Sequence, residues 1–123
     1  MTQTTAENKN LYDLENRTLN FASRVNEYVR VLPRDVVNIE IGKQLVRAAG
    51  SVGANYIEAN EALGKRDFAM RLRISKKEAK EARYWLLLTK PNDTDTIQRS
   101  DLIDECTQLM KIVGAILTKT IGG

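Results

Sequence analysis

Residues 66–90 read RDFAMRLRISKKEAKEARYWLLLTK, and their spacing decides the fold class. Phe68, Leu72, Ser75, Ala79, Ala82 and Leu86 recur in alternating steps of four and three, which places them on one stripe of an α-helix. No period-two alternation of the kind a strand needs runs through the stretch. Pro91 closes it, because proline pushes the residue before it out of the helical region. The charges follow the same geometry. At about 100° per residue from Phe68, Arg66, Arg73, Lys76, Lys77, Lys80 and Arg83 fall between about 60° and 180°, clear of the apolar stripe. Met70, Ile74, Trp85 and Leu88 lie further round, at about 200–260°, as a second apolar patch.

The flanking sequence repeats the pattern. Upstream, Val37, Ile41, Leu45, Ala48, Val52, Tyr56, Ala59 and Leu63 share one face, and Gly64 offers a C-terminal stop. Before that, Leu11, Leu14, Thr18, Phe21, Val25, Tyr28 and Leu32 run in register until Pro33. Downstream, the turn-rich stretch 91–96 carries capping candidates at Asp95 and Thr96, with a third at Ser100. Leu102, Cys106, Leu109, Val113, Ile116 and Thr120 then line a fourth helix, which Gly122 and Gly123 end. The pattern predicts an all-α, antiparallel up-down-up-down four-helix bundle with helices about 11–32, 35–63, 66–90 and 97–121. It forms a single domain over 1–123, with 1–10 as a flexible N-terminal tail.

The fourth helix has its own second stripe, Ile103, Met110, Leu117 and Ile121. A bundle seam covers little more than about 100° of each helix. Met70, Ile74, Trp85, Leu88, Ile103, Met110 and Leu117 are therefore candidate residues of a homo-oligomer interface, since surplus apolar faces are commonly interfaces. A splayed bundle with a wider core is the other reading.

Composition excludes several function classes. The 123 residues contain no histidine, which removes imidazole bases, histidine-containing triads and imidazole metal sites. The single cysteine, Cys106, excludes an intramolecular disulfide and falls on the apolar stripe, as a buried structural thiol would. Met1–Asn10 is polar and lacks the regions of a signal peptide, and no apolar run reaches the roughly 18–20 residues of a membrane span. A cytoplasmic protein without membrane association is expected. The formal charge is +3, but residues 64–90 hold nine basic groups against three acidic ones, a local +6 that leaves −3 for the rest.

Candidate chemistry is thin. Gly50-Ser51-Val52-Gly53 lacks the glycine spacing of a nucleophile elbow, and a GXXG nucleic-acid clamp does not sit inside a long helix. Gly42, Ala49, Gly53 and Ala54 read instead as small residues that let a neighbouring helix come close. Asn55, Glu58 and Glu61 share a surface without a third carboxylate, and Glu78, Glu81 and Lys77 read as ordinary surface pairs. No catalytic residue, cofactor or metal site is predicted. The basic strip is the feature with a functional reading. About 25 Å long, it can follow a phosphate backbone of RNA or DNA and release its counterions. Stacking aromatics are missing apart from Tyr84 at its edge, so contacts would be to backbone and shape. The opposing reading is a solvated face, partly neutralised by Glu58, Glu61, Asp101, Asp104 and Glu105.

The run 44–62, with Ser51-Val52-Gly53-Ala54-Asn55-Tyr56-Ile57-Glu58-Ala59 inside it, combines with Lys65-Arg66-Asp67-Phe68, Lys76-Lys77-Glu78-Ala79-Lys80-Glu81 and Tyr84-Trp85-Leu86. Together these segments resemble the four-helix-bundle proteins encoded by intervening sequences of bacterial large-subunit ribosomal RNA genes, over about residues 11–121. The resemblance implies a bundle that assembles into a homopentameric ring. It further implies kinship with the pentameric accessory proteins of diversity-generating retroelements, which bind nucleic acid through a basic surface and partner a reverse transcriptase. The family has no established enzymatic activity. Position 64 is Gly where relatives tend to carry Ser, which weakens a side-chain cap on the third helix. The reading that follows is a non-enzymatic, ring-forming nucleic-acid binder; its rival is a homo-oligomeric adaptor that recruits a protein partner.

Overall fold

A computed structural model of the chain describes residues 6–122, with side chains from Leu14 onward. Four helices follow one another: α1 (Ala6–Arg30), α2 (Val36–Asn60), α3 (Lys65–Leu88) and α4 (Thr96–Gly122), with a 3-10 turn at Asp93–Asp95. No strand occurs among the described residues. Cross-helix pairs with opposed numbering give the directions. Val29 meets Gly42 and Thr18 meets Gly53 between α1 and α2. Asn38 meets Lys90, Arg47 meets Glu78 and Arg71 meets Asn55 between α2 and α3. Arg83 meets Thr107 and Lys76 meets Gly114 between α3 and α4. Each helix therefore runs against its predecessor, the up-down-up-down bundle the periodicity predicts.

The boundaries differ at some ends, for local reasons. α1 begins at Ala6, earlier than the apolar stripe indicates. Polar residues such as Glu7 and Lys9 extend a helix cheaply once a nucleus exists. Residues 1–5, the remainder of the expected tail, and the side chain of Leu11 lie outside the described residues. α2 starts behind Asp35, whose Oδ1 accepts from the Asn38 N–H at 2.8 Å as an N-cap. It stops at Asn60, where a tightened turn carries Glu61 N–H to both Ile57 and Glu58 carbonyls at 3.2 Å. Gly64 is then not the stop of α2. It is the N-cap residue of α3, in extended backbone and without a side-chain bond. Leu63, expected on the core face, is fully exposed in this connection.

The core is the predicted set with a few exchanges. Leu14, Thr18, Phe21, Val25, Tyr28 and Leu32 of the first segment are buried, as are Leu45, Ala48, Val52, Tyr56 and Ala59 of α2. Leu72, Ser75, Ala79, Ala82 and Leu86 of α3 meet them, with Leu102, Cys106, Leu109 and Val113 of α4. Phe68, Ile116 and Thr120, near the end where α3 starts and α4 finishes, are only half-buried. Val37 is exposed at the first turn of α2, and Asn38 occupies the buried site beside it. Buried hydroxyls bond across the helices: Ser75 Oγ donates to the Val52 carbonyl at 2.8 Å, and Tyr28 and Thr89 hydroxyls meet at 2.7 Å, whereas the buried Trp85 Nε1 has no partner. Cys106 Sγ–H donates to the Ala79 carbonyl at 2.8 Å, and burial pushes its thiol up to about 12. A thiol so placed is a packing group, not a nucleophile.

Candidate nucleic-acid interface

α3 presents its cations because its stripe of Leu72, Ala79 and Leu86 turns inward. Arg66, Arg73, Lys76, Lys77 and Lys80 are exposed; Arg83 is half-buried and its Nη1 donates to Thr107 Oγ1 of α4 at 3.4 Å. None of the six makes an ion pair with a described residue. The carboxylates expected to neutralise them are spent elsewhere or stand apart. Glu105 pairs with Arg17 at 2.7 Å, closing the seam between α1 and α4. Glu58, Glu61, Asp101 and Asp104 make no ion pair with described residues.

The other α3 carboxylates are not the plain surface pair their spacing suggests. Glu78 is buried, and Arg47 of α2 donates to its Oε2 at 2.8 Å while reaching Glu81 at 3.6 Å. Burial alone would raise the Glu78 carboxyl; hydrogen bonds from Glu81, Arg47 and Ser51 outweigh it and hold the group below its ordinary range. Glu81 is raised in turn, first by sharing a hydrogen bond with Glu78. The acidic side of α3 therefore faces α2 and is bound to Arg47. The basic side faces solvent and α4.

The apolar candidates divide. Trp85, Ile103, Met110 and Leu117 are half-buried and pack on the chain's own core. These four spend part of their apolar surface on the core, as a wider-core bundle does, and keep the rest at the surface. Met70 and Leu88 remain 43% and 44% exposed, and Ile74 is half-buried. Tyr84 is exposed and sets its ring against Trp85, centroids 5.1 Å apart. Among the small residues of α2, Gly42, Ala49 and Gly53 are buried, the glycines against α1, whereas Ala54 is exposed.

Two cations on α4 join the strip that α3 begins. Lys111 and Lys119 line an open groove of about 620 Å³ with Lys76, over a floor that includes Gly114, Ala115 and Met110. Isolated lysines on a helix carry no signal of their own; only the antiparallel register of α3 and α4 brings them to Lys76. A second groove, about 650 Å³, lies between α1 and α2 over Val29, Ile39, Gly42 and Val46. Of its three lining cations, Arg30 and Lys43 are paired with Glu27 and Glu40 at 3.4 and 3.3 Å, and Arg34 makes no ion pair with a described residue. No group of acidic or cysteine side chains among the described residues is placed to hold a metal ion. Among the described residues, no helix is long and apolar enough to cross a membrane.

The sequence model of a family described as 23S rRNA-intervening sequence protein matches residues 12–115. Among solved structures, the chain is similar to a protein of unknown function from the S23 ribosomal protein family of Bacteroides thetaiotaomicron. The two share 28% identity over 85% of this chain and 97% of that one, with a TM-score of 0.69. Comparison with curated proteins finds no match.

Proposed function

The chain belongs to the 23S rRNA-intervening sequence protein family, and from there we propose that it is a non-enzymatic, ring-forming homo-oligomer that binds RNA or DNA backbone through the basic face of α3. One observation carries the binding: Arg66, Arg73, Lys76, Lys77 and Lys80 stand exposed on one helix face without an ion pair to a described residue. Unpaired cations in a row gain more from a polyanion than paired ones, since no internal salt bridge has to break and condensed counterions are released. In a ring, copies of a weak strip act together as avidity.

The triple variant Arg73→Glu, Lys77→Glu, Lys80→Glu should abolish a low-salt gel shift without changing oligomer size. Wild-type protein with no salt-dependent affinity for any nucleic acid would end this reading. Self-association is carried by Met70, Ile74 and Leu88, the apolar candidates not packed on the core. Light scattering should give about five times the 13.9 kDa chain mass, the homopentamer, and Met70→Glu with Leu88→Glu should lower it while helicity stays. A wild-type mass of one chain would exclude the ring.

The groove over Val29, Ile39 and Val46 favours a second reading, an adaptor that recruits a protein partner such as a reverse transcriptase. A partner retained after nuclease treatment and lost on Ile39→Glu would support it.

A further inference from the structure

We infer that the groove between α3 and α4 is the seat of a single-stranded phosphate backbone, held by Lys111 and Lys119 of α4 together with Lys76 of α3. This rests on the nucleic-acid reading and adds to it a location, two binding residues and a strand class.

Among the described residues no carboxylate lines the groove, while three lysines do. Lys76 is held over it by the absence of a side chain at Gly114: a Cβ there would lie 3.4 Å from Lys76 Nζ and 3.5 Å from its Cε. The lysine stem therefore lies across the neighbouring helix and carries its ammonium to the groove. Lys111 and Lys119 are exposed and, like Lys76, make no ion pair with described residues. Eight residues apart, they span about 12 Å along α4, room for several phosphates at the roughly 3.4 Å per-strand spacing of stacked nucleic acid.

α4 is also polarised along its length. Asp101, Asp104 and Glu105 occupy its first half and Lys111 and Lys119 its second. A polyanion is repelled from the first half and drawn to the second, across which the Lys76 side chain of α3 lies. A cationic groove with apolar lining that tracks a backbone is how single strands are held without sequence reading, and here Lys76, Lys111 and Lys119 surround Met110 and Ala115. Met110 and Ala115 in the lining offer apolar contact to sugars and base faces.

The test uses the full chain and fluorescence anisotropy with a fluorescein-labelled 20-nucleotide oligothymidylate at two salt concentrations. Lys111→Glu with Lys119→Glu should weaken binding about tenfold or more. It should also reduce the slope of log affinity against log salt by about 1.4, two phosphates at 0.7 each. Gly114→Leu, which fills the groove at unchanged charge, should weaken binding too, and an unlabelled duplex should compete less well than the single strand. Helix content by circular dichroism controls for folding. Should Lys111→Glu with Lys119→Glu bind as wild type while Arg66→Glu with Lys77→Glu fails to bind, the α3 face keeps its role and the groove loses its own. Equal competition by duplex would overturn the strand assignment. Wild-type protein that binds neither probe would remove both readings.

Discussion

Asn38→Ala should lower the unfolding free energy by about 3 kcal/mol, read as a fall in the denaturation midpoint with unchanged slope. Asn38 is 3% exposed and ties two loops together. Its Nδ2 donates to the carbonyls of Pro33 and Lys90, each at 3.0 Å, and its Oδ1 accepts from the Lys90 N–H at 3.0 Å. The side chain thus bridges the α1–α2 and α3–α4 connections at one end of the bundle. Alanine removes all three bonds, each worth about 1 kcal/mol net, and leaves backbone groups beside prolines that cannot re-pair along a helix. Asn38→Asp separates hydrogen bonding from size. It keeps an acceptor for Lys90 N–H but sets a carboxylate against two carbonyl oxygens, so it should be no better than alanine. If Asn38→Ala unfolds within 0.5 kcal/mol of wild type, roughly the scatter of a surface change, the bridge contributes nothing.

Gly53→Ala should destabilise by about 2 kcal/mol, whereas Gly50→Ala, three residues away, should stabilise by up to about 1 kcal/mol. In both, alanine gains helix propensity over glycine. At Gly50 a Cβ meets nothing within 4 Å. At Gly53 it would sit 2.8 Å from Thr18 Oγ1 and 3.1 Å from Thr18 Cβ. Thr18 cannot yield easily: it is 1% exposed, and its hydroxyl donates to the Leu14 and Glu15 carbonyls at 2.8 and 3.0 Å. Rotating away would strand that hydroxyl in the core, so α1 and α2 must part instead. Thermal unfolding of the two variants side by side should move in opposite directions. Equal midpoints would mean that Thr18 adapts and that close approach at Gly53 is not required.

The basic face of α3 was legible because its six cations lie on one continuous helix, where a fixed turn per residue converts position into direction. The α4 lysines were not. Lys111 and Lys119 acquire meaning from Lys76, some 35 residues upstream, and only the register of α3 on α4 brings them together. That Trp85, Ile103, Met110 and Leu117 also pack on the chain's own core was not legible, for a related reason. A wheel shows that a residue is off the main stripe, but not how deeply the neighbouring helices embrace it. Glu78 is the same case in charged form: its spacing reads as surface, and Arg47 of α2 makes it a buried partner.

Local chemistry alone therefore determined four helices, the stops at Pro33 and Pro91, the inward stripes and the cationic side of α3, since each depends on residues within a few turns. The ends of α2 and α3 around Gly64, the bridge at Asn38, the contact of Gly53 with Thr18 and the groove beside Gly114 were decided by tertiary structure. These are meetings between distant segments, and their energies depend on distances of a few tenths of an ångström that no periodicity encodes.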